Sequence, residues 1–186
     1  MKHRLAGLAG LALLALLLTL PLAPAGSQAA PDPENTLVIE LKTGRVLIRL
    51  RPDLAPGHVK RVKNLAKQGF YDNLTFHRVI QGFMAQTGDP EGTGGGGSKY
   101  VDLKAEFTKE RFGRGSVGAA RTDAPDTANS QFFICYGVQC AQLTGSYTLW
   151  GEVIEGMQHV DKITPGEPPA NPDRMLKVYL LANAKK

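Results

Sequence analysis

The chain has few of the residues that build metal sites and covalent active centres. It contains only two cysteines, and its four histidines lack the spacing of metal ligands: His3, His58, His77 and His159. No GxSxG segment is present, so the nucleophile turn of α/β-hydrolases is missing. The glycine run GTGGGG (92–97) lacks the lysine and hydroxyl that follow in a P-loop. We therefore expect no metal and no cofactor, and we disfavour nucleophilic hydrolysis.

An excess of charge of one sign is also absent. The formal net charge is +5, and it falls to +3 when Lys2 and Arg4 of the N-terminal segment are removed. This excess is too small to predict a nucleic-acid partner. The basic residues of segment 60–67 are typical of the solvated face of a helix: Lys60, Arg61, Lys63 and Lys67.

The only long apolar run lies at the N-terminus. Basic residues precede an apolar stretch from Leu5 to Leu22, and small residues follow it. This order is typical of a secretory signal peptide, and we place cleavage after Ala29. We predict a signal peptide (1–29), a short lead (30–35) and one domain (36–186) that is exported to the periplasm or the extracellular space. The alternative is an uncleaved membrane anchor, because the run is just long enough to span a bilayer.

The two cysteines, Cys135 and Cys140, are five residues apart. Export would permit a disulfide between them. Cys135 could equally be a buried strand residue and Cys140 a free loop thiol, since a strand-to-loop pair must meet a narrow Cα separation. The sequence leaves both interpretations open.

Apolar periodicity predicts many short strands and two helices. Alternation predicts a hairpin of two strands, 36–41 and 45–50. Six further short strands, separated by glycine-rich segments, fit 75–79, 82–87, 116–120, 131–136, 147–153 and 176–181. Helical spacing follows Asp53, a candidate N-cap, and places four apolar residues on one face: Val59, Val62, Leu65 and Ala66. A second helix fits 156–163. The alternation of strand and helix typical of a parallel sheet is missing, so we expect a mainly β, antiparallel barrel.

The segment TFHRVI carries an arginine where a strand should be apolar. Period-two alternation predicts that Phe76, Arg78 and Ile80 share one face and that His77 lies on the other. An arginine beside apolar side chains is either a surface ion pair or a deliberately placed donor. Nearby apolar and amide side chains in GFMAQ (82–86) and SQFFI (130–134) favour the second interpretation.

Three long segments together resemble the cyclophilins, a family of peptidyl-prolyl cis–trans isomerases. They are GFYDNLTFHRVIQGFMAQTGDPEGTGGGG (69–97), PDTANSQFFI (125–134) and WGEVIEGMQHVDKI (150–163). The resemblance runs from about Thr36 to Leu181. It implies a closed eight-stranded antiparallel barrel capped by two helices, and an enzyme that acts on proline-containing unfolded or exported polypeptides, as a monomer.

The resemblance also implies roles for individual residues. Arg78, in FHR, would be the catalytic residue. The substrate-binding residues would be Phe83, Met84, Gln86, Ala120, Arg121, Gln131, Phe133, Leu143 and Tyr147. Thr87 and Tyr147 depart from the family's most common glycine and histidine. Two rival hypotheses are a proline-binding module without turnover and a structural assembly domain. The first is disfavoured because Arg78 and the pocket residues are all present, and the second makes no prediction about Arg78.

Overall fold

The computed structural model of the protein describes residues 30–184, which contain eight strands and two α-helices. The strands are β1 (Thr36–Leu41), β2 (Gly44–Leu50), β3 (Arg78–Ile80), β4 (Met84–Thr87), β5 (Ser116–Ala119), β6 (Phe132–Cys135), β7 (Leu149–Glu155) and β8 (Lys177–Leu180). The α-helices are α1 (Pro56–Lys67) and α2 (Met157–Val160). Three short 3₁₀ helices cover Pro33–Asn35, Val138–Leu143 and Leu181–Asn183.

All eight strands belong to one antiparallel sheet in the order β3-β4-β6-β5-β7-β2-β1-β8. The mainly β fold, the number of strands and their antiparallel direction are therefore confirmed. The closed barrel is not confirmed, because β3 and β8 lie at opposite ends of this order and the sheet is a curled half-barrel. An isolated bridge links Val79 of β3 to Gly166, and a second one links Thr75, just ahead of β3, to Arg174, just ahead of β8.

Helix α1 covers one face of the sheet. Its predicted apolar stripe is buried, and the helix packs against β7 and β8. The prediction that Asp53 caps α1 is wrong: Ala55 occupies the N-cap, and Asp53 pairs with Arg51 at 2.8 Å. The carboxylate of Glu106 instead accepts the N–H groups of Gly57 and His58, both at 3.0 Å. A residue distant in sequence thus satisfies the free donors of the first turn.

Two apolar clusters lie on the two faces of the sheet. The main core contains 26 buried residues, among them Phe76, Phe132, Ile134 and Trp150. The smaller one, here called the pocket cluster, consists of Met84, Phe112, Phe133, Cys135, Cys140 and Leu149. Because side chains alternate along a strand, consecutive residues of β6 enter different clusters. This alternation places the candidate site on the face opposite the main core.

Within residues 30–184, no helix has both the length and the apolar character needed to cross a membrane. The predicted signal peptide lies outside the described residues, so it stays a prediction. The second helix, Met157–Val160, is shorter than the predicted 156–163. Beyond its C-cap Asp161 the chain continues as turns, in which the N–H groups of Lys162 and Ile163 donate to the carbonyls three residues earlier.

Candidate active site

The predicted site residues converge on one cleft of about 240 Å³ beside the pocket cluster. Its lining comprises Arg78, Phe83, Met84, Gln86, Ala120, Arg121, Phe133, Leu143 and Tyr147. Five different stretches of chain supply these side chains, so only the tertiary fold brings them together. Gln131 is the one predicted residue that does not line this cleft; it lines a neighbouring cleft of about 420 Å³ that runs along the glycine-rich loop.

The base of the cleft is apolar. Met84 and Phe133 project from adjacent strands β4 and β6, and both are buried. The ring of Phe133 packs against Phe112, with ring centroids 5.9 Å apart, and meets Tyr147 edge-to-face at 5.7 Å. Gly118 on β5 makes this possible, because a Cβ there would lie only 2.5 Å from the Phe133 ring. A cleft with these walls suits a small apolar ring.

One wall of the cleft is fixed by a covalent bond. Cys135 at the end of β6 forms a disulfide with Cys140 in the 3₁₀ helix Val138–Leu143, with their Cα atoms 6.1 Å apart. This resolves the alternatives that the sequence left open. Leu143, the last residue of that 3₁₀ helix, lines the cleft. The disulfide therefore ties the segment that carries Leu143 to the strand that carries Phe133.

Arg78 is the first residue of β3 and lies directly across from Gln86 of β4. Its side chain is 43% exposed, and its Nε donates to Oε2 of Glu167 at 2.8 Å. Ile80 packs beside the pocket cluster, as predicted. The prediction for Phe76 is wrong: this residue is fully buried in the main core. The strand begins only at Arg78, and the N–H of Phe76 donates to the Asp173 carbonyl, so alternation does not extend back to Phe76.

His77 lies under the glycine-rich loop, beside Gly94. It is only 6% exposed, and neither ring nitrogen has a hydrogen-bond partner in the described structure. Burial lowers the pKa of His77 below its ordinary value, because the charged imidazolium loses its hydration. His77 does not line the cleft, so we assign it no part in the chemistry there.

Two glutamines connect the cleft to the glycine-rich loop. Nε2 of Gln86 donates to Oε1 of Gln131 at 2.9 Å, and Nε2 of Gln131 donates to the carbonyls of Gly94 and Gly96. The hydroxyl of Thr87 does not bond to either glutamine and donates to the Thr75 carbonyl at 2.8 Å. Thr87, which departs from the family's most common glycine, therefore does not line the cleft.

Arg121 and Ala120 form the opposite rim. The guanidinium of Arg121 lies 4.5 Å from the Tyr147 ring centroid and donates to the carbonyls of Ser146, Thr122 and Asp123. The N–H of Ala120 donates to the Gln131 carbonyl at 3.0 Å. The N–H of Ala120 is therefore already paired within the protein.

Sequence reasoning missed two residues that shape the site. Phe112 lies in a segment without strand or helix periodicity, yet its ring backs Phe133. Glu167 lies in the proline-rich segment 164–172, and its contact with Arg78 joins residues 89 positions apart. No local pattern could have shown either contact.

Comparison with known proteins identifies relatives across nearly the whole described chain. Residues 36–180 match the family described as cyclophilin type peptidyl-prolyl cis-trans isomerase/CLD. A probable peptidyl-prolyl cis-trans isomerase of Brucella suis is 45% identical over 184 residues, which cover 90% of this chain and 93% of that protein. Peptidyl-prolyl cis-trans isomerase B of Bacillus subtilis is 38% identical over 136 residues, or 68% of this chain and 94% of the relative.

Solved structures give the same fold. The cyclophilin AquaCyp293 from Hirschia baltica superposes with a TM-score of 0.74 at 27% identity, covering 83% of this chain and 76% of that one. A cyclophilin type peptidyl-prolyl cis-trans isomerase of Cryptosporidium parvum, crystallised in the presence of the dipeptide Ala-Pro, gives 0.72 at 28% identity. That match covers 78% of this chain and 98% of the neighbour.

Proposed function

The chain belongs to the cyclophilin family and is a peptidyl-prolyl cis–trans isomerase, and we propose that Arg78 is its catalytic residue and that exported polypeptides are its substrates. The observation that carries this proposal is the position of Arg78. Arg78 borders a cleft of proline size whose apolar lining includes Phe83, Met84, Phe133 and Leu143. A cation at the edge of such a cleft can act on the amide nitrogen of a proline held inside it.

The chemistry requires no covalent intermediate. An Xaa–Pro bond isomerises slowly because amide resonance imposes a barrier of about 18–20 kcal/mol. In the twisted amide the resonance is lost, and the prolyl nitrogen becomes pyramidal with a localised lone pair. A donor aimed at that nitrogen stabilises the twisted state more than either planar state, and this difference is what accelerates the reaction. Arginine suits the role because it is always charged and carries its donors on a rigid plane.

The rest of the cleft would hold the peptide while one side rotates. Phe133 and Met84 would pack against the proline ring, and Tyr147 and Leu143 would close its sides. Gln86, Gln131 and the carbonyl of Ala120 would bind the peptide backbone on the neighbouring residues. Arg121 is already bonded to three carbonyls, so its role would be to shape the rim. One half of the substrate would thus be fixed and the other free to turn.

Two features support action on exported proteins. The N-terminal segment has the order of a signal peptide. Cys135 and Cys140 form a disulfide, a bond that persists in oxidising compartments such as the periplasm. We place the mature protein there as a monomer. N-terminal sequencing of the protein recovered from its host would test this, since a retained residue 1 would contradict cleavage after Ala29.

The catalytic proposal is tested by a protease-coupled isomerisation assay on an Xaa–Pro peptide. Replacing Arg78 with alanine should lower kcat/KM on the order of 10²-fold or more, as loss of one charge-stabilising donor typically does. Circular dichroism should show an unchanged fold, because the Arg78 side chain lies half exposed at a sheet edge. Near-normal turnover by Arg78→Ala would remove Arg78 from the mechanism.

A further inference from the structure

Glu167 is held in register with the strand that carries Arg78. It lies in the segment between α2 and β8, next to Gly166. The N–H of Gly166 donates to the Val79 carbonyl at 2.9 Å, and the N–H of Val79 donates to the Gly166 carbonyl at 2.8 Å. These two bonds form an isolated antiparallel bridge to β3. The backbone that presents Glu167 is therefore fixed beside Arg78.

A second connection holds the far end of the same segment. The N–H and hydroxyl of Thr164 donate to Oδ2 of Asp173 at 2.8 and 2.9 Å, which closes the segment into a loop. The Asp173 carbonyl in turn accepts the N–H of Phe76, just ahead of β3. The loop is thus bonded to the β3 strand region at both Gly166 and Asp173. A carboxylate held on such a loop can fix the position of a long, flexible side chain beside it.

The contact between the two side chains uses a specific nitrogen of the arginine. Oε2 of Glu167 accepts from Nε of Arg78 at 2.8 Å, a charge-assisted hydrogen bond. Among the described residues, no side-chain or backbone acceptor bonds the terminal nitrogens of Arg78. Gln86, directly across from Arg78, gives its amide N–H to Gln131 instead. In the described structure, Glu167 is therefore the group that fixes the Arg78 side chain.

We propose that Glu167 is a positioning residue, which holds Nε of Arg78 so that the terminal N–H groups face a bound prolyl amide. Arginine has several rotatable bonds, and ordering them in advance removes a cost from the reaction. A simple surface ion pair would do no more than add slight stability, because both side chains are about half exposed. The inference rests on the catalytic role proposed for Arg78.

The test is a double-mutant cycle of Arg78 and Glu167 in the full mature chain. We expect Glu167→Ala to lower kcat about 5-fold, with KM changed less than about 2-fold, which is the scale of one exposed charge-assisted contact. Glu167→Gln keeps an acceptor oxygen and should restore part of the loss. In the Arg78→Ala background, Glu167→Ala should have no further effect, since its target is gone. Glu152→Ala, which breaks the exposed pair with Arg49 away from the cleft, is the matched control and should leave kcat unchanged.

A spectroscopic measurement separates positioning from a structural role. In ¹⁵N-edited NMR spectra, the Nε–H resonance of Arg78 should be distinct and slow to exchange in the wild type. In Glu167→Ala it should move to the exchange-averaged position of free arginines, while in Glu152→Ala it should stay in place. An unchanged resonance, or a kcat equal to or above that of the wild type, would overturn the role of Glu167. If Arg78→Ala itself keeps full turnover, the catalytic proposal fails instead, and the two failures are thereby distinguished.

Discussion

Phe132 and Phe133 are adjacent in β6 and almost equally buried, at 1% and 4% exposure, yet they serve different regions of the molecule. Phe132 lies in the main core, where Tyr71 and Trp150 meet its ring edge-to-face. Phe133 lies in the pocket cluster, and one side of its ring borders the open cleft. The comparison teaches that burial alone does not separate a residue packed inside the main core from one that lines the candidate site. What differs is whether the neighbouring volume is filled by the protein.

The largest effect should come from truncating these two rings. Phe132→Ala should lower the free energy of unfolding by about 3–5 kcal/mol, because it removes apolar contacts and leaves a closed cavity. Phe133→Ala should cost about 2 kcal/mol, since it loses the transfer free energy but enlarges a space that is already open. Urea titration of both variants measures the difference.

The effects on KM should have the opposite order, with the larger change in Phe133→Ala. The folded fraction of Phe132→Ala should keep its KM, whereas Phe133→Ala should raise KM on the order of tenfold through the lost pocket contact. If both variants lost the same stability and had the same KM, the proposed separation of a stabilising face from a substrate-binding face of the sheet would be wrong.

Glycines offer a second matched pair, one on each face. A Cβ at Gly118 would lie 2.5 Å from the Phe133 ring, and a Cβ at Gly151 would lie 2.8 Å from the Ile48 side chain. Both Gly→Ala variants should therefore lose about 1–3 kcal/mol of stability by overpacking. Only Gly118→Ala should also raise KM, because it displaces the base of the cleft. A normal KM in Gly118→Ala would mean that Phe133 does not contact the proline.

The disulfide provides a further test of this comparison, because both of its cysteines belong to the pocket cluster. Reducing Cys135–Cys140 should cost about 2 kcal/mol, the loop-closure entropy of so short a ring. It should also weaken substrate binding, since the segment with Leu143 loses its attachment to β6. Thermal unfolding and KM with and without reductant provide the test, and a Cys135→Ser/Cys140→Ser variant is the control for side effects of the reductant. A KM unaffected in both would contradict the role of this wall.

The smallest effect should come from His77, which lies between Phe76 of the core and Arg78 of the cleft. Because burial lowers its pKa in the folded state, the unfolded chain binds the proton more readily. The associated stability is present above the ordinary value of 6.5 and is lost as the pH falls through the lowered pKa. His58 has a pKa lowered by burial in the same direction, although Glu106 opposes the shift. His77→Leu should therefore reduce, without abolishing, the decline in melting temperature below pH 6.5; an unchanged decline would show that His77 does not contribute.

Much of this architecture follows from local patterns. Alternation predicts β1 and β2, and helical spacing predicts the buried face of α1. These patterns are predictive because each strand or helix buries one face, and the spacing of apolar residues within the element itself encodes that face. The cleft itself was predicted by resemblance to a family, with nine of ten residues converging on it.

The errors occur where distant chain segments decide the local structure. Phe76 was assigned to the wrong face, because a bond to Asp173 keeps its segment out of β3. Asp53 does not cap α1; Glu106, which lies 49 residues after Gly57, supplies the acceptor for the Gly57 N–H. Glu167 meets Arg78 only through the pairing of Gly166 with Val79. No window of sequence contains such contacts, so periodicity could not predict them.

We propose that Arg78 stabilises the twisted amide and that the apolar cleft binds the proline ring. The most direct test measures kcat and KM separately for Arg78→Ala, by NMR exchange on an Ala-Pro peptide at saturating and limiting concentrations. We predict that kcat falls on the order of 10²-fold while KM stays within about 2-fold of the wild type. A rise in KM with an unchanged kcat would mean that Arg78 binds the planar substrate, and would contradict the account.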